Sequence, residues 1–138
     1  MKPIPNNILK RMDKTERKKL GKLGLTNEEI QTRNEFELEK DLQRDVINLL
    51  HQRDIWVQSS RFGKRSTATK GAPDFLFVWT LNGIPRPMAF EVKVGNGKPT
   101  KWQLETHMHM RRNGWLVFVV RSLNEAREFL DGKLQVLE

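Results

Sequence analysis

Residues 71–98 read GAPDFLFVWTLNGIPRPMAFEVKVGNGK. Two apolar runs flank Asn82-Gly83, the strongest short-range signal for a two-residue β-hairpin. In MAFEVKV the strand period of two puts Phe90, Val92 and Val94 on one face and Glu91 and Lys93 on the other. Asp74 stands at the entrance of the first run, directly after a Gly-Ala-Pro stretch that bends the chain. Pairing through the turn, with some slippage at Pro85 and Pro87, brings Asp74 close to Glu91. Two carboxylates and an ammonium thus converge in what otherwise reads as apolar core.

Working outward, the segment TNEEIQTRNEFELEKDLQRDVINLLHQRD reads as a helix. Asn34 and Glu37 are spaced as its capping box, and Leu38, Leu42, Val46, Leu49 and Leu50 form an apolar stripe. With Leu38 at about 0°, helix geometry puts Leu42, Val46 and Leu50 at about 40°, 80° and 120°, and Glu39 at about 100°. Glu39 therefore lies inside the apolar stripe, where an unpaired carboxylate is costly. Glu35 shares that side but falls in the expected first turn, where dipole and solvent satisfy it. Gln43, one turn after Glu39, is placed to hydrogen-bond beside it.

IWVQSS reads as a short strand, followed by a Gly/Ser/Thr loop carrying Arg61, Lys64, Arg65 and Lys70. After the hairpin, Thr100 with Gln103 opens a helix that runs to about Arg112 and stops at Asn113-Gly114. LVFVV is a fourth strand, and Ser122 with Glu125 starts a last short helix through Leu130. The order is arm, α, β, β, β, α, β, α, an α/β domain around a small mixed sheet flanked by helices. Residues 1–25 read as a basic arm and 26–138 as the domain.

The chain of 138 residues has 25 Lys and Arg against 17 Asp and Glu, a net +8, unevenly placed. Residues 1–25 hold 8 basic and 2 acidic side chains, and 61–121 hold 11 and 3. The two remaining segments are net acidic. A basic middle with isolated carboxylates points to a polyanionic partner, nucleic acid ahead of anionic membrane. An ordinary solvated basic surface is the plainer alternative. No stretch approaches the roughly 20 apolar residues of a membrane span, nor is there the apolar core of a signal peptide. Zero cysteines exclude disulfides and thiolate chemistry and fit a cytoplasmic protein.

Two carboxylates a few ångströms apart raise each other's pKa unless a cation neutralises them. Mg²⁺ takes oxygen ligands, usually one or two carboxylates plus water and substrate phosphate. Lys93 beside it suits an ammonium that holds the attacking water or stabilises transition-state charge. His107 and His109 in HMHM invite zinc, but residues two apart diverge by about 200° on a helix, so both do not ligate one ion.

An acid on the first helix, PD on a strand and ExK on the next resemble the PD-(D/E)xK nuclease superfamily. Two further stretches, KGAPD (Lys70–Asp74) and FEVKVGNGKPTKWQ (Phe90–Gln103), resemble its VRR-NUC family. That family's pattern is a helix Glu, Gly-x-Pro-Asp, Glu-x-Lys and a downstream Gln, met here by Glu39, Gly71 to Asp74, Glu91 to Lys93, and Gln103. The loop before Gln103 is longer on glycine and lysine than the family's. The resemblance covers residues 35–130 and implies a restriction-endonuclease-like core. It implies that Asp74, Glu91 and the Val92 backbone carbonyl bind Mg²⁺ or Mn²⁺. Lys93 is then catalytic, with Glu39 and Gln103 supporting the site, and no small-molecule cofactor is involved. Stand-alone members resemble junction-resolving enzymes, which implies a homodimer cutting branched or four-way-junction DNA, of a kind suited to a phage-infected bacterial cell.

Plainer readings stand beside these. Asp74 after Pro73 also suits a turn, Glu91 and Lys93 a solvated ladder, and Gln103 a capping partner of Thr100. The four tryptophans Trp56, Trp79, Trp102 and Trp115 suit core positions, Trp102 being the one placed beside the site. Arg61, Lys64, Arg65 and Lys70, with Lys98 and Lys101, are the DNA-contact candidates. A non-catalytic nucleic-acid-binding module and a sequence-specific restriction-type endonuclease are the alternative functions.

Overall fold

A computed structural model describes residues 26–59 and 70–133. The chain divides into two compact units, residues 1–38 and 39–138. The basic arm, 1–25, lies outside the described residues, as do Arg61, Lys64 and Arg65.

The first helix, α1, spans Asn27–Gln52. Its capping box is Thr26 and Glu29, not Asn34 and Glu37. Thr26 Oγ1 accepts from the Glu29 N–H at 3.2 Å, and Glu29 Oε2 accepts from the Thr26 N–H at 2.9 Å. Asn34 falls mid-helix, where backbone N–H groups already have intrahelical partners and leave a cap nothing to satisfy. Glu35 is correspondingly interior and accepts from Gln31 Nε2 at 3.2 Å. The helix ends where Asp54, at φ 55°, takes the left-handed position that glycine usually fills, letting the Ile55 N–H reach the Leu50 carbonyl.

Strands β1 (Val57–Ser59), β2 (Phe75–Leu81), β3 (Ile84–Val92) and β4 (Leu116–Val120) form one sheet in the order β1-β2-β3-β4. The first two pairings are antiparallel and β3 with β4 is parallel, so the sheet is mixed. Asn82 and Gly83, at φ 51° and 78°, build the turn with left-handed backbone at both positions. The register runs unbroken from Leu81↔Ile84 to Phe75↔Phe90, without the expected slippage. Leu81 and Ile84 close a two-residue loop as a hydrogen-bonded pair, so Thr80↔Pro85 and Val78↔Pro87 are non-hydrogen-bonded pairs. Neither proline is asked for a donor towards β2, and β4 pairs with β3 only from Met88 onward. One residue beyond Phe75↔Phe90, that register sets Asp74 opposite Glu91.

The parallel connection passes through α2 (Lys101–Arg112), and α3 (Leu123–Leu130) closes the chain. Thr100 and Gln103 make a complete capping box. At α3 only half of one forms: Ser122 accepts from the Glu125 N–H, while Glu125 turns to the Arg121 N–H. One sheet face carries Phe75, Phe77, Met88, Phe90, Val92, Phe118 and Val120 against Val46, Leu49 and Leu50 of α1 and Ala126, Phe129 and Leu130 of α3. Phe90 meets Phe77 edge-on at 4.9 Å between ring centres. The other face of β3, bearing Ala89 and Glu91, is also buried, because α2 lies there. A strand covered on both sides reads as a continuous apolar run, and within it Glu91 is the exception.

Candidate active site

The end of the hairpin remote from its turn gathers the polar groups. Asp74 sits at the mouth of β2, and its Oδ2 accepts from the Val92 N–H at 2.8 Å. Gln43 of α1 also donates to it. Glu91, 2% exposed, accepts from Gln103 Nε2 at 2.7 Å. Lys93 Nζ lies 3.7 Å from Glu91 Oε1 and 4.0 Å from Glu39 Oε1. Asp74, Glu91, Lys93, Glu39 and Gln103 are thus brought together from α1, β2, β3 and α2. Gln103 acts twice, since its Oε1 also accepts from the Thr100 N–H at 2.8 Å. Capping and site contact are two ends of one side chain.

The electrostatics are those of carboxylates with too few cations. Burial pushes Glu91 up to about 8, helped by the negative charge of Asp74 and opposed by Lys93. Asp74 is raised by burial despite the Val92 N–H, Lys93 and Gln43. Glu39 is raised by burial, against the pull of Lys93. A divalent cation would relieve all three at once. Glu91 Oε2 is buried without a hydrogen-bond partner, leaving lone pairs free for one. No group of three His, Cys, Asp or Glu side chains among the described residues is arranged to hold a metal by itself. The donor set therefore suits an ion that takes few carboxylates and completes its shell with carbonyl, water and phosphate oxygens, as Mg²⁺ does.

The glycine of Gly-Ala-Pro-Asp has a steric reason. Gly71, at φ +86°, lies under the start of α2, and a Cβ there would stand 2.4 Å from the Trp102 carbonyl oxygen and 2.8 Å from Thr106 Oγ1. The loop between β3 and α2 is held by Arg121, whose Nη1 donates to the Gly97 carbonyl at 2.7 Å and the Gly95 carbonyl at 3.3 Å.

Lys70, Lys98 and Lys101 are exposed near this end. Lys70 Nζ sits 4.4 Å from the Trp102 ring centre, and Trp102 is 52% exposed. Trp56 is also exposed, so the core reading fails for both, because neither indole falls on a face that another element covers. Trp79 is half-buried and donates to the Leu130 carbonyl. Two site residues were underweighted by the sequence. Gln43 touches Asp74, where the period of α1 placed it only beside Glu39. His107 is buried against Glu91 while His109 is exposed; weighing the two histidines only against each other overlooked the i,i+4 spacing of Gln103 and His107.

A solved structure described as a VRR_NUC domain matches with a TM-score of 0.51 and 29% identity, over 67% of this chain and 92% of that one. No protein-family model matches the chain, and no curated protein does so significantly. Fold and site together define a nuclease-fold α/β domain. The likeness supports assigning the chain to the VRR-NUC family. No helix among the described residues is long and apolar enough to cross a membrane.

Proposed function

We propose that this protein is a divalent-metal-dependent endonuclease that hydrolyses phosphodiester bonds in DNA. The observation that carries it is the set of three carboxylates, Glu39, Asp74 and Glu91, each raised by burial, around the ammonium of Lys93. Asp74, Glu91 and the Val92 carbonyl would hold Mg²⁺ or Mn²⁺. Bound there, the ion supplies Lewis-acid stabilisation of phosphoryl charge and acidifies a coordinated water. Lys93 orients the attacking water or stabilises charge on the phosphoryl oxygens. Glu39 fixes the Lys93 ammonium from the α1 side, Gln43 steadies Asp74, and Gln103 steadies Glu91.

Lys70, Lys98 and Lys101, with Arg61, Lys64 and Arg65, are the groups we assign to backbone phosphates. The described residues form no separate base-reading element, which favours recognition of DNA shape over sequence. Branched DNA, a four-way junction in particular, is the substrate class we favour, cut symmetrically by a homodimer.

The test is cleavage of a labelled panel, comprising junction, flap, duplex and single strand, with Mg²⁺ or Mn²⁺. Wild type cuts, and Lys93→Ala is slower by about 100-fold or more while retaining DNA binding. Binding without cutting under either metal would overturn the nuclease reading in favour of a non-catalytic adaptor. Discrete fragments from plasmid DNA would replace structure recognition with sequence recognition. Monomeric protein in light scattering, both free and with junction DNA, would remove the dimer.

A further inference from the structure

His107 plays no part in the function just proposed, yet it occupies a position no ordinary core histidine would. It is 1% exposed. Its Nε2 lies 3.9 Å from Glu91 Oε2, and neither atom has a hydrogen-bond partner. Burial, together with the positive charges of Arg111 and Lys93, keeps the imidazole neutral, with its pKa lowered to about 4. A neutral, buried imidazole whose Nε2 has no hydrogen-bond partner lowers fold stability. A leucine would fill that space without the penalty.

The location supplies the reason. Gln103 and His107 are four residues apart on α2 and share one helix face. Gln103 Nε2 already holds Glu91 Oε1; His107 Nε2 faces the other oxygen of the same carboxylate. A closure of about 1 Å brings that pair within hydrogen-bond distance. We infer that His107 is a positioning residue, which with Gln103 clamps Glu91 from α2 by one oxygen each and so sets the carboxylate for cation binding. Held at both oxygens, Glu91 cannot swing, and each oxygen keeps a lone pair for the ion. Partners of this kind orient a metal-binding side chain, and their loss weakens metal affinity by about 10–100-fold.

This inference rests on the metal-dependent reading of the site, and the experiment separates the two. Mn²⁺ binding is measured by calorimetry and by the metal-induced rise in Tm, on wild type, His107→Leu, His107→Gln and Asp74→Asn, with no DNA present. Wild type binds and Asp74→Asn does not. His107→Leu binds Mn²⁺ at least about tenfold more weakly, although its metal-free Tm is equal to or above wild type. Glutamine places an amide N–H at nearly the reach of Nε2, so His107→Gln restores most of the affinity. A structural role gives the opposite pattern, a lowered metal-free Tm with unchanged Mn²⁺ affinity, and overturns the inference. It is also overturned if His107→Gln binds as poorly as His107→Leu. Should wild type itself bind no Mn²⁺, the metal-dependent function fails first and the positioning role with it.

Discussion

Glu91 carries opposing demands. The strand that holds it must be apolar on both faces, and the proposed chemistry needs a carboxylate there. The compromise is visible in its titration. In the unfolded chain the group ionises near 4.5 and in the fold near 8, so between these values the folded protein keeps a proton the unfolded chain has lost. Stability contributed by the group is full below the lower value and lost as pH rises through the upper one. Asp74 and Glu39, also raised, add to the same slope. His107 acts the other way: lowered from 6.5 to about 4, it lends stability above 6.5 that is lost as pH falls through 4. The clean window therefore lies between about pH 7.5 and 8, a unit above the unfolded-chain value of His107 and not yet past the folded value of Glu91. Metal-free wild type melts at progressively lower temperature across that window, and Glu91→Gln flattens much of the decline. Saturating Mg²⁺ or Mn²⁺ opposes it in wild type, since the ion displaces the proton. Parallel melting curves for wild type and Glu91→Gln would mean that Glu91 ionises normally. Glu91, Lys93 and Glu39 were legible as site candidates because each falls where an apolar residue is expected, and Asp74 because the hairpin turn brings the entrance of its strand beside Glu91. His107 was not, since a histidine on a helix breaks no pattern until the strand beneath it is known.

Element α2 couples local helix chemistry to the site, and the coupling can be taken apart. Thr100→Ala removes the acceptor for the Gln103 N–H and costs about 1 kcal/mol, yet leaves Gln103 able to reach Glu91; cleavage changes little. Gln103→Ala breaks the return half of the cap and strips the buried Glu91 of its side-chain donor, so stability drops and cleavage falls by about 10–100-fold. Equal losses of activity in the two variants would show that Gln103 is only a cap. Gly71→Ala meets the Trp102 carbonyl, a backbone atom that cannot yield cheaply. Left-handed backbone alone costs an alanine about 1–3 kcal/mol, and the clash displaces the start of α2, so both Tm and cleavage fall. Unchanged melting of Gly71→Ala would refute that packing. The Thr100 box and the Asn82-Gly83 turn could be read directly, because both are completed within four residues of sequence. The start of α1 was misplaced because two box-like spacings compete there, and only the chain's actual entry, at Thr26, decides between them. Where Pro85 and Pro87 fall in the ladder depends on hydrogen-bond parity counted from the turn, which local sequence does not display.

For the molecule as a whole, the proposed function assigns holding DNA and cutting it to different parts of the charge distribution. Of the net +8, the first 25 residues contribute 8 basic against 2 acidic side chains, while the carboxylate site lies in residues 39–103. Lysines and arginines on phosphates bind through counterion release, and each phosphate contact adds about 0.9 to the slope of log affinity against log salt for duplex DNA. Contacts of this kind position the nucleic acid but carry no sequence information. Deleting residues 1–25 should therefore weaken binding to every member of the substrate panel by a similar factor and make the salt slope shallower. The order of preference among junction, flap, duplex and single strand should survive, as should the cleavage rate at saturating DNA. Fluorescence anisotropy across a salt series, paired with single-turnover cleavage, reads both quantities on the same protein. A deletion that reorders the preferences would make the arm a reader of DNA structure, and one that abolishes single-turnover cleavage with DNA still bound would make it part of the catalytic apparatus. Selectivity for a junction would then be sought in residues 1–25 instead of in the geometry around Glu91.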